Sequence, residues 1–222
     1  MPYKIIIADD HPLFRAALRQ AVTQSVDTVD ILEADTIGKL QELVEKHVDA
    51  DLVLLDLKMP GAHGFSGLAF LRGQFPAIPV VVVSGTEDLS VIRRAVDYGA
   101  SGFIPKSAPM SVITHAITAV LQGEIWVPEG VEQRIGRLES ASTEFSNKLA
   151  TLTPQQFRVL GMLTEGMLNK QIAYDLSVSE ATVKAHITAL FRKLGVRNRT
   201  QAVIAVQQMT VDEAELTPPD QG

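Results

Sequence analysis

Carboxylates follow the most apolar segment near the start of the chain. In the stretch KIIIADDHP, Asp9 and Asp10 come directly after three isoleucines and an alanine, and the apolar run LVLL ends on Asp56. Burial favours the isoleucines but makes ionised carboxylates costly unless a cation meets them. Two further polar side chains follow apolar runs in the same way, Ser84 after VVVV and Lys106 after GFIP. These five residues are of the types that metal binding and group transfer require.

The segments that must position these residues alternate in pattern. Short runs rich in β-branched residues, KIIIA, VDILEA, DLVLLDL, IPVVVVSG and SGFIPK, are separated by longer segments with helical spacing. In the first of these longer segments, Leu13, Ala17, Leu18 and Val22 fall on one side of the predicted helix. Five alternations of strand and helix predict an α/β fold with a doubly wound five-stranded parallel sheet.

Ligands bind to such sheets beyond the carboxyl ends of the strands, so the five polar side chains should converge there. Three carboxylates within a few ångströms repel each other unless a hard divalent cation lies among them. Mg²⁺ with retained waters fits so few protein oxygens better than Ca²⁺ does. A metal ion beside a carboxylate, a hydroxyl and a lysine is typical of phosphoryl transfer. Asp56 is then the nucleophile that forms an acyl phosphate, while Lys106 and Ser84 bind the phosphoryl oxygens.

Composition narrows the classes of function. The chain has 222 residues, 46% of them hydrophobic, which is enough for one large or two small globular domains. It has no cysteine, which excludes disulfides, thiolate-zinc sites and cysteine nucleophiles. No segment approaches the roughly 20 apolar residues that span a bilayer, and no signal peptide is recognisable, so we expect a cytoplasmic protein with no membrane partner. The histidines lack metal-ligand spacing, and we predict that they are structural or on the surface: His11, His47, His63, His115 and His186.

Charge is distributed unevenly along the chain. Residues 1–122 carry ten basic and fourteen acidic side chains, whereas residues 151–200 carry seven basic and three acidic ones. The net charge of the whole chain is −6. An acidic front with a compact basic block behind it indicates two domains with different partners. We therefore predict a first domain at 1–122 and a second at 150–209.

The sequence between and after these domains is less regular. We predict a linker at 123–149 with a short amphipathic helix through Val131, Ile135 and Leu138. The polar segment SASTEFSN that follows is predicted to be turn-prone. Residues 210–222 are acidic and contain prolines, a composition typical of a disordered tail.

The basic block predicts a helix-turn-helix. One helix begins after Thr153 as N-cap, and a short second helix, KQIAYDL, precedes a longer one, EATVKAHITALFRKL, with Ser179 as its N-cap and Gly195 as its stop. A short helix, a tight turn and a longer basic helix are typical of DNA binding, where the second helix enters the major groove. Helical spacing turns four apolar side chains of the long helix inward: Val183, Ile187, Leu190 and Leu194. A helical pair used only for dimerisation is the alternative.

Residues 1–122 resemble the receiver domain of bacterial two-component response regulators, which has a flavodoxin-like fold. The resemblance lies in ADDHP, LLDLKMPG, VVVVSG and GFIPK, in the expected order. It implies that a sensor histidine kinase transfers a phosphoryl group to Asp56, and that Mg²⁺ is held by Asp10, Asp56 and the main-chain carbonyl of Lys58, with Asp9 acting largely through water. It further implies that on activation Ser84 moves toward the phosphoryl group and Phe103 swings inward.

Residues 150–209 resemble the four-helix DNA-binding domain of the NarL/FixJ group with its LuxR-type helix-turn-helix. The resemblance lies in LTP, NKQIA, SEATVKAHI and RKLGVRNRTQAV, with Gln156 where the family usually has a glutamate. It implies that three residues face base edges or nearby phosphates: Lys184, Ala185 and Thr188. Four more would contact or approach the DNA backbone: Lys170, Ser179, Thr182 and Arg192. The last helix, 200–209, is the expected dimer contact.

Together these features predict a phosphorylation-controlled transcription factor. We expect phosphorylation of Asp56 to favour a homodimer that binds an inverted repeat in double-stranded DNA, with RNA polymerase as a further candidate partner. We also expect the unphosphorylated receiver or the linker to cover part of the long helix. An alternative is a phosphorylation-independent DNA binder that keeps the receiver only as a dimerisation scaffold.

An enzyme is a third interpretation, because phosphohydrolases with an aspartate nucleophile also use Mg²⁺ and a lysine. These enzymes place a second aspartate two residues after the nucleophile as general acid, and Lys58 occupies that position here. We therefore expect only slow hydrolysis of the phosphoryl group on Asp56, with Lys58 and Thr86 controlling the access of water.

Overall fold

A five-stranded parallel sheet organises the first half of the chain. The computed structural model describes residues 2–62, 64–131 and 144–207. The strands are β1 (Tyr3–Ala8), β2 (Val29–Ala34), β3 (Leu52–Asp56), β4 (Val80–Ser84) and β5 (Gly102–Pro105). Their order in the sheet is β2-β1-β3-β4-β5, with every neighbouring pair parallel. The five predicted strands and the doubly wound fold are confirmed.

The central strands are buried on both faces of the sheet. Every residue of β3 and β4 is buried, because these strands consist almost entirely of leucine and valine. The strand ends lie in register, with Asp56 opposite Val83 and Ser84 opposite Pro105. The sheet thus brings the polar residues that end its strands to one edge.

Helices cover both faces of this sheet. They are α1 (Pro12–Ser25), α2 (Ile37–Lys46), α3 (Ser66–Gln74), α4 (Leu89–Asp97) and α5 (Met110–Leu121). Helices α1 and α5 pack on one face, whereas α2, α3 and α4 pack on the other. In α1, Leu18 and Val22 are buried as predicted, but Leu13 is 90% exposed. Leu13 lies in the first turn of α1, where Phe14 is the residue that packs against the hydrophobic core.

Helices make up the end of the linker and the second domain. They are α6 (Glu144–Ala150), α7 (Pro154–Thr164), α8 (Asn169–Asp175), α9 (Glu180–Leu194) and α10 (Arg199–Gln207). Thr153 and Ser179 cap α7 and α9 through their side chains, and Gly195 ends α9 in the left-handed conformation at φ 73°. These caps are confirmed. The part of the predicted last helix beyond Gln207 and the predicted disordered tail lie outside the described residues.

The segment between the domains departs from prediction. The turn-prone interpretation of SASTEFSN is wrong for its described part, because α6 begins at Glu144. Leu149 of this helix is fully buried, so tertiary packing outweighs the weak helix propensity of the serine and asparagine. Of the short amphipathic helix predicted earlier in the linker, Val131 is buried, while Ile135 and Leu138 lie outside the described residues.

The two domains pack against each other through α2, α3, α6 and α7. The rings of Phe70 and Phe157 stack with their centroids 4.4 Å apart and their planes at 21°. Gln74 Nε2 donates to the main-chain oxygen of Ala150 over 2.9 Å. Arg158 Nε donates to Oε1 of the buried Gln41 over 3.2 Å. This contact is apolar at its centre, with hydrogen bonds beside it.

Close backbone approach at this contact predicts opposite effects of two glycine substitutions. A Cβ at Gly73 would lie 2.4 Å from the Cα of Ala150, whereas a Cβ at Gly38 would meet nothing within 4 Å. Both glycines lie in helices, where alanine is favoured by about 0.5–1 kcal/mol. We expect Gly38→Ala to raise the free energy of unfolding by about that amount and Gly73→Ala to lower it by more than about 1 kcal/mol. Urea denaturation of both variants measures this, and equal stabilisation would contradict the close packing.

The long helix is covered on one side by part of the predicted linker. Helix α6 packs against α9 on the side of the buried Leu190 and Leu194. Four side chains on the outer side of α9 are exposed, namely Lys184, Ala185, Thr188 and Arg192. Among the described residues, the receiver contacts α6 and α7 instead of this outer side. Covering of the outer side before phosphorylation stays a prediction.

Candidate functional site

The strand ends bring a lysine between two buried carboxylates. Lys106 Nζ lies 2.8 Å from Asp9 Oδ2 and 2.8 Å from Asp56 Oδ2. Asp9 is fully buried and Asp56 is 3% exposed. The predicted convergence of these side chains from β1, β3 and β5 is observed. This arrangement places one cation against two negative charges that would otherwise repel each other.

The environment of Lys106 favours its charged form. Burial by itself would lower the pKa of this lysine, but the hydrogen bond to Asp56 and the ion pair with Asp9 outweigh burial and raise the pKa above its ordinary value. The ammonium group also lies 4.9 Å from the centre of the Phe14 ring, a cation–π contact. Lys106 therefore stays protonated and available as a counter-charge for anionic oxygens.

The carboxylates together fit a divalent cation. Asp9, Asp10, His11 and Asp56 each offer a ligand atom, and these atoms lie within 4.8 Å of one another. The buried oxygens Asp9 Oδ2 and Asp10 Oδ1 accept no hydrogen bond of suitable geometry. Asp9 Oδ2 forms an ion pair with Lys106 instead, and Asp10 Oδ1 lies 2.6 Å from His11 Nδ1. A Mg²⁺ site requires carboxylate oxygens that are close together and do not already accept hydrogen bonds from the protein.

His11 is the site residue that sequence reasoning missed. Its Nδ1 lies 2.6 Å from Asp10 Oδ1, 3.3 Å from Asp9 Oδ1 and 3.8 Å from Asp56 Oδ2. The predicted surface position of His11 is observed, with its side chain 62% exposed, but its closeness to the three carboxylates was not predicted. Its direct adjacency to the two aspartates in sequence was the available signal.

The other predicted receiver residues surround this cluster. Ser84 is buried at the end of β4, and its Oγ accepts from the main-chain nitrogen of Thr86 over 3.4 Å. The main-chain nitrogen of Lys58 donates to Asp56 Oδ1 over 3.1 Å, which fixes that carboxylate. Phe103 is fully buried in the hydrophobic core. Movement of Ser84 and Phe103 stays a prediction.

A hollow lies over the carboxylates. It has a volume of about 570 Å³. Residues of α1 and the turn before it border one side, namely His11, Leu13, Phe14 and Ala17. Residues at the strand ends border the other side, namely Asp56, Lys58, Gly85, Thr86 and Lys106. The exposed Leu13 gives it an apolar rim. The site is thus open to a reactant that carries both an anionic group and apolar surface.

The second candidate surface is the outer face of the helix-turn-helix. Seven side chains predicted to approach DNA are all exposed: Lys170, Ser179, Thr182, Lys184, Ala185, Thr188 and Arg192. Ser179 and Thr182 are held by the N-terminal cap of α9, where Ser179 Oγ accepts from the nitrogen of Thr182 over 3.1 Å. The side chains therefore present a basic surface beside a helix N-terminus, both of which attract phosphates.

Lys193 is a base that does not belong to this surface. Its Nζ donates to the main-chain oxygen of Thr151 over 2.7 Å and to Gln156 Oε1 over 2.9 Å. Gln156 also accepts from the nitrogen of Thr153 over 3.1 Å and so closes a capping box. Gln156, where the family usually has a glutamate, thus caps α7 and binds Lys193 without a negative charge.

Comparison with known proteins agrees with this division of the chain. Residues 5–118 match the family model of the response regulator receiver domain, and residues 150–206 match that of bacterial regulatory proteins of the luxR family. The chain is 45% identical over 208 residues to the glycerol metabolism activator of Pseudomonas putida, which covers 91% of this chain and 94% of that protein. It is 34% identical to the nitrate/nitrite response regulator protein NarP of Escherichia coli, over 93% of this chain and 95% of NarP.

A solved structure shows the same fold. The RcsB response regulator of Salmonella typhimurium, studied for conformational dynamism in DNA interaction, has 25% sequence identity and a TM-score of 0.56, covering 93% of this chain and 97% of that one. Within the part of the chain that the structure describes, no helix is both long enough and apolar enough to cross a membrane. The chain belongs to the bacterial response regulators that join a receiver domain to a LuxR-type DNA-binding domain.

Proposed function

We propose that this protein is a cytoplasmic transcription regulator in which Asp56 accepts a phosphoryl group from a sensor histidine kinase. The observation that carries the proposal is Lys106 Nζ at 2.8 Å from both Asp9 and Asp56, beside an acidic cluster that fits a dication. Such a site supplies a carboxylate nucleophile and fixed positive charge, which are the two requirements of phosphoryl transfer.

The proposed units are 1–122 as receiver, 123–149 as linker, 150–209 as DNA-binding domain and 210–222 as tail.

The transfer step follows from the positions of these residues. A carboxylate oxygen of Asp56 forms a bond to phosphorus while the bond from phosphorus to the imidazole nitrogen of the kinase breaks, and that nitrogen keeps the electron pair. Lys106 binds a phosphoryl oxygen and compensates its charge, and Ser84 offers a hydroxyl donor. Mg²⁺ held by Asp10, Asp56 and the carbonyl of Lys58, with Asp9 nearby, would neutralise further phosphoryl charge. Exposed Leu13 beside the hollow supplies apolar surface for the kinase.

The output is proposed to be DNA binding by a dimer. Phosphorylation would pair two receivers, and the paired α9 helices would bind an inverted repeat. Three residues would face base edges or nearby phosphates, namely Lys184, Ala185 and Thr188, and four would contact or approach the backbone, namely Lys170, Ser179, Thr182 and Arg192. Transcription would then be regulated through RNA polymerase. Hydrolysis of the phosphoryl group on Asp56 is expected to be slow, because Lys58 stands where a phosphohydrolase has its general acid.

Dimerisation and DNA affinity of the wild type and of Asp56→Asn test this proposal. Each protein is measured by analytical ultracentrifugation and by DNA titration at fixed salt, with and without acetyl phosphate plus Mg²⁺. We expect only the wild type to dimerise and to bind DNA at least about tenfold more tightly, a difference of about 1.4 kcal/mol. If neither protein responds, the receiver is a scaffold and the phosphorylation-independent alternative replaces this proposal.

A further inference from the structure

His11 supplies a nitrogen atom to a cluster whose other donors are all oxygens. Its Nδ1 lies 2.6 Å, 3.3 Å and 3.8 Å from oxygens of Asp10, Asp9 and Asp56, respectively. Around a dication with bonds near 2.1 Å, neighbouring ligands lie about 3 Å apart and opposite ones about 4.2 Å apart. The contacts of the imidazole to Asp9 and Asp56 fall within this range, whereas the 2.6 Å contact to Asp10 lies below it. One ion could therefore contact all four side chains if His11 and Asp10 moved apart by a few tenths of an ångström.

The imidazole does not cap its own helix. His11 is the N-cap residue of α1, yet its side chain makes no capping hydrogen bond. Its main-chain nitrogen instead donates to Asp9 Oδ1 over 2.8 Å and fixes the backbone beside the carboxylates. The fully buried Asp9 keeps Oδ2 without a hydrogen-bond donor, with only the charge contact to Lys106. The cluster is therefore preorganised around an ion, with Nδ1 aimed toward the carboxylates.

We propose that His11 is an additional metal ligand and that its nitrogen raises the affinity of this site for imidazole-preferring dications such as Ni²⁺ relative to Mg²⁺. Imidazole nitrogen binds late transition metals well, whereas Mg²⁺ prefers oxygen and retains its waters. The inference rests on the proposed function, because it concerns the same acidic cluster. In this proposal His11 gives the site a selectivity between metals that the carboxylates alone do not provide.

The test is calorimetric titration of the untagged, full-length protein with NiCl₂ and, separately, with MgCl₂. His11→Ala is the variant, and His115→Ala is the matched control, because His115 is an exposed histidine on α5 of the same domain. We expect His11→Ala to weaken Ni²⁺ binding at least about tenfold while Mg²⁺ binding changes less than about twofold. His115→Ala should leave both unchanged. The visible absorption of bound Ni²⁺ should also shift in His11→Ala as oxygen replaces nitrogen.

Each other outcome has a defined meaning. Equal weakening of both metals would show that His11 acts only through local structure, and tighter Mg²⁺ binding with unchanged Ni²⁺ binding would show that it is only an ion-pair partner of the carboxylates. Either result overturns the inference and leaves the proposed function standing. Failure of the wild type to bind either metal at millimolar concentrations would overturn both the inference and the magnesium site of the proposed function.

Discussion

Replacing Lys106 with methionine is expected to lower the free energy of unfolding of the metal-free protein by about 3 kcal/mol, because two buried carboxylates lose their cation. The side chains of Asp9 and Asp56 are 0% and 2% exposed, and each lies 2.8 Å from Lys106 Nζ. Methionine keeps a long, flexible apolar side chain in place, so the change removes mainly charge. Urea denaturation in the presence of a chelator measures the loss.

Added Mg²⁺ should restore more stability to Lys106→Met than to the wild type, since a dication supplies the missing positive charge. The matched control is Lys4→Met. Lys4 also forms a short ion pair, 2.6 Å from Asp49, but that carboxylate is 69% exposed. Exposed pairs contribute about 0–1 kcal/mol, so the control should lose little. Equal losses in the two variants would mean that Lys106 is no more than a surface partner.

The same substitution should also remove the response to phosphorylation. Without Lys106, the phosphoryl group on Asp56 loses the positive charge that lies at the end of β5. Phosphorylation could then no longer change the position of β5 through this lysine. We expect acetyl phosphate plus Mg²⁺ to leave the DNA affinity of Lys106→Met unchanged. A response like that of the wild type would show that the signal leaves Asp56 by another route.

The second large effect is expected on the basic surface of the helix-turn-helix. Removing Lys170, Lys184 and Arg192 together should reduce the slope of log affinity against log salt by about 3, because each phosphate contact contributes about 0.9. At physiological salt this corresponds to a loss of affinity on the order of 100-fold. All three side chains are exposed, so circular dichroism should show an unchanged fold. Fluorescence anisotropy with a labelled duplex over a salt series measures the slope.

The matched control removes exposed positive charge from the other domain. Lys39 and Lys46 lie on α2 of the receiver and are exposed. The double variant Lys39→Ala, Lys46→Ala should leave the slope unchanged. If the slope falls equally per charge removed in both variants, affinity follows the net charge of the molecule and the outer face of α9 has no special part in binding.

Sequence reasoning succeeded where local pattern and packing agree. The runs IIIA, LVLL and VVVV became buried central strands because an unbroken β-branched or leucine-rich run suits a sheet that is covered on both faces. The positions of Asp9, Asp56 and Lys106 at one edge then followed from parallel strand order alone. The helix caps at Thr153 and Ser179 were equally local and equally predictable.

The errors arose where distant contacts decide the outcome. Periodicity placed Leu13 on the same side of α1 as Leu18 and Val22 but could not show that Leu13 stays exposed at the end of the helix. The imidazole of His11 meets Asp56, a residue far along the chain, so no spacing rule could reveal that contact. Helix α6 is held by burial of Leu149 and by the bond from Gln74 to Ala150, both of which depend on the packed domains.

The exposed outer face of α9 has a consequence for how the response is graded. If the proposed DNA contacts hold, a single chain presents all of its contact residues for one half-site, so pairing would add a second binding site rather than a new surface. Once one DNA-binding domain of a dimer occupies its half-site, the second domain would act at an effective concentration on the order of millimolar. The affinity of the dimer would then exceed the affinity of one domain for one half-site by about 10² to 10⁴. Because a dimer forms from two chains, the occupancy of the DNA site would rise with the square of the protein concentration when the protein is scarce. The number of molecules per cell would set the threshold as strongly as the fraction that is phosphorylated.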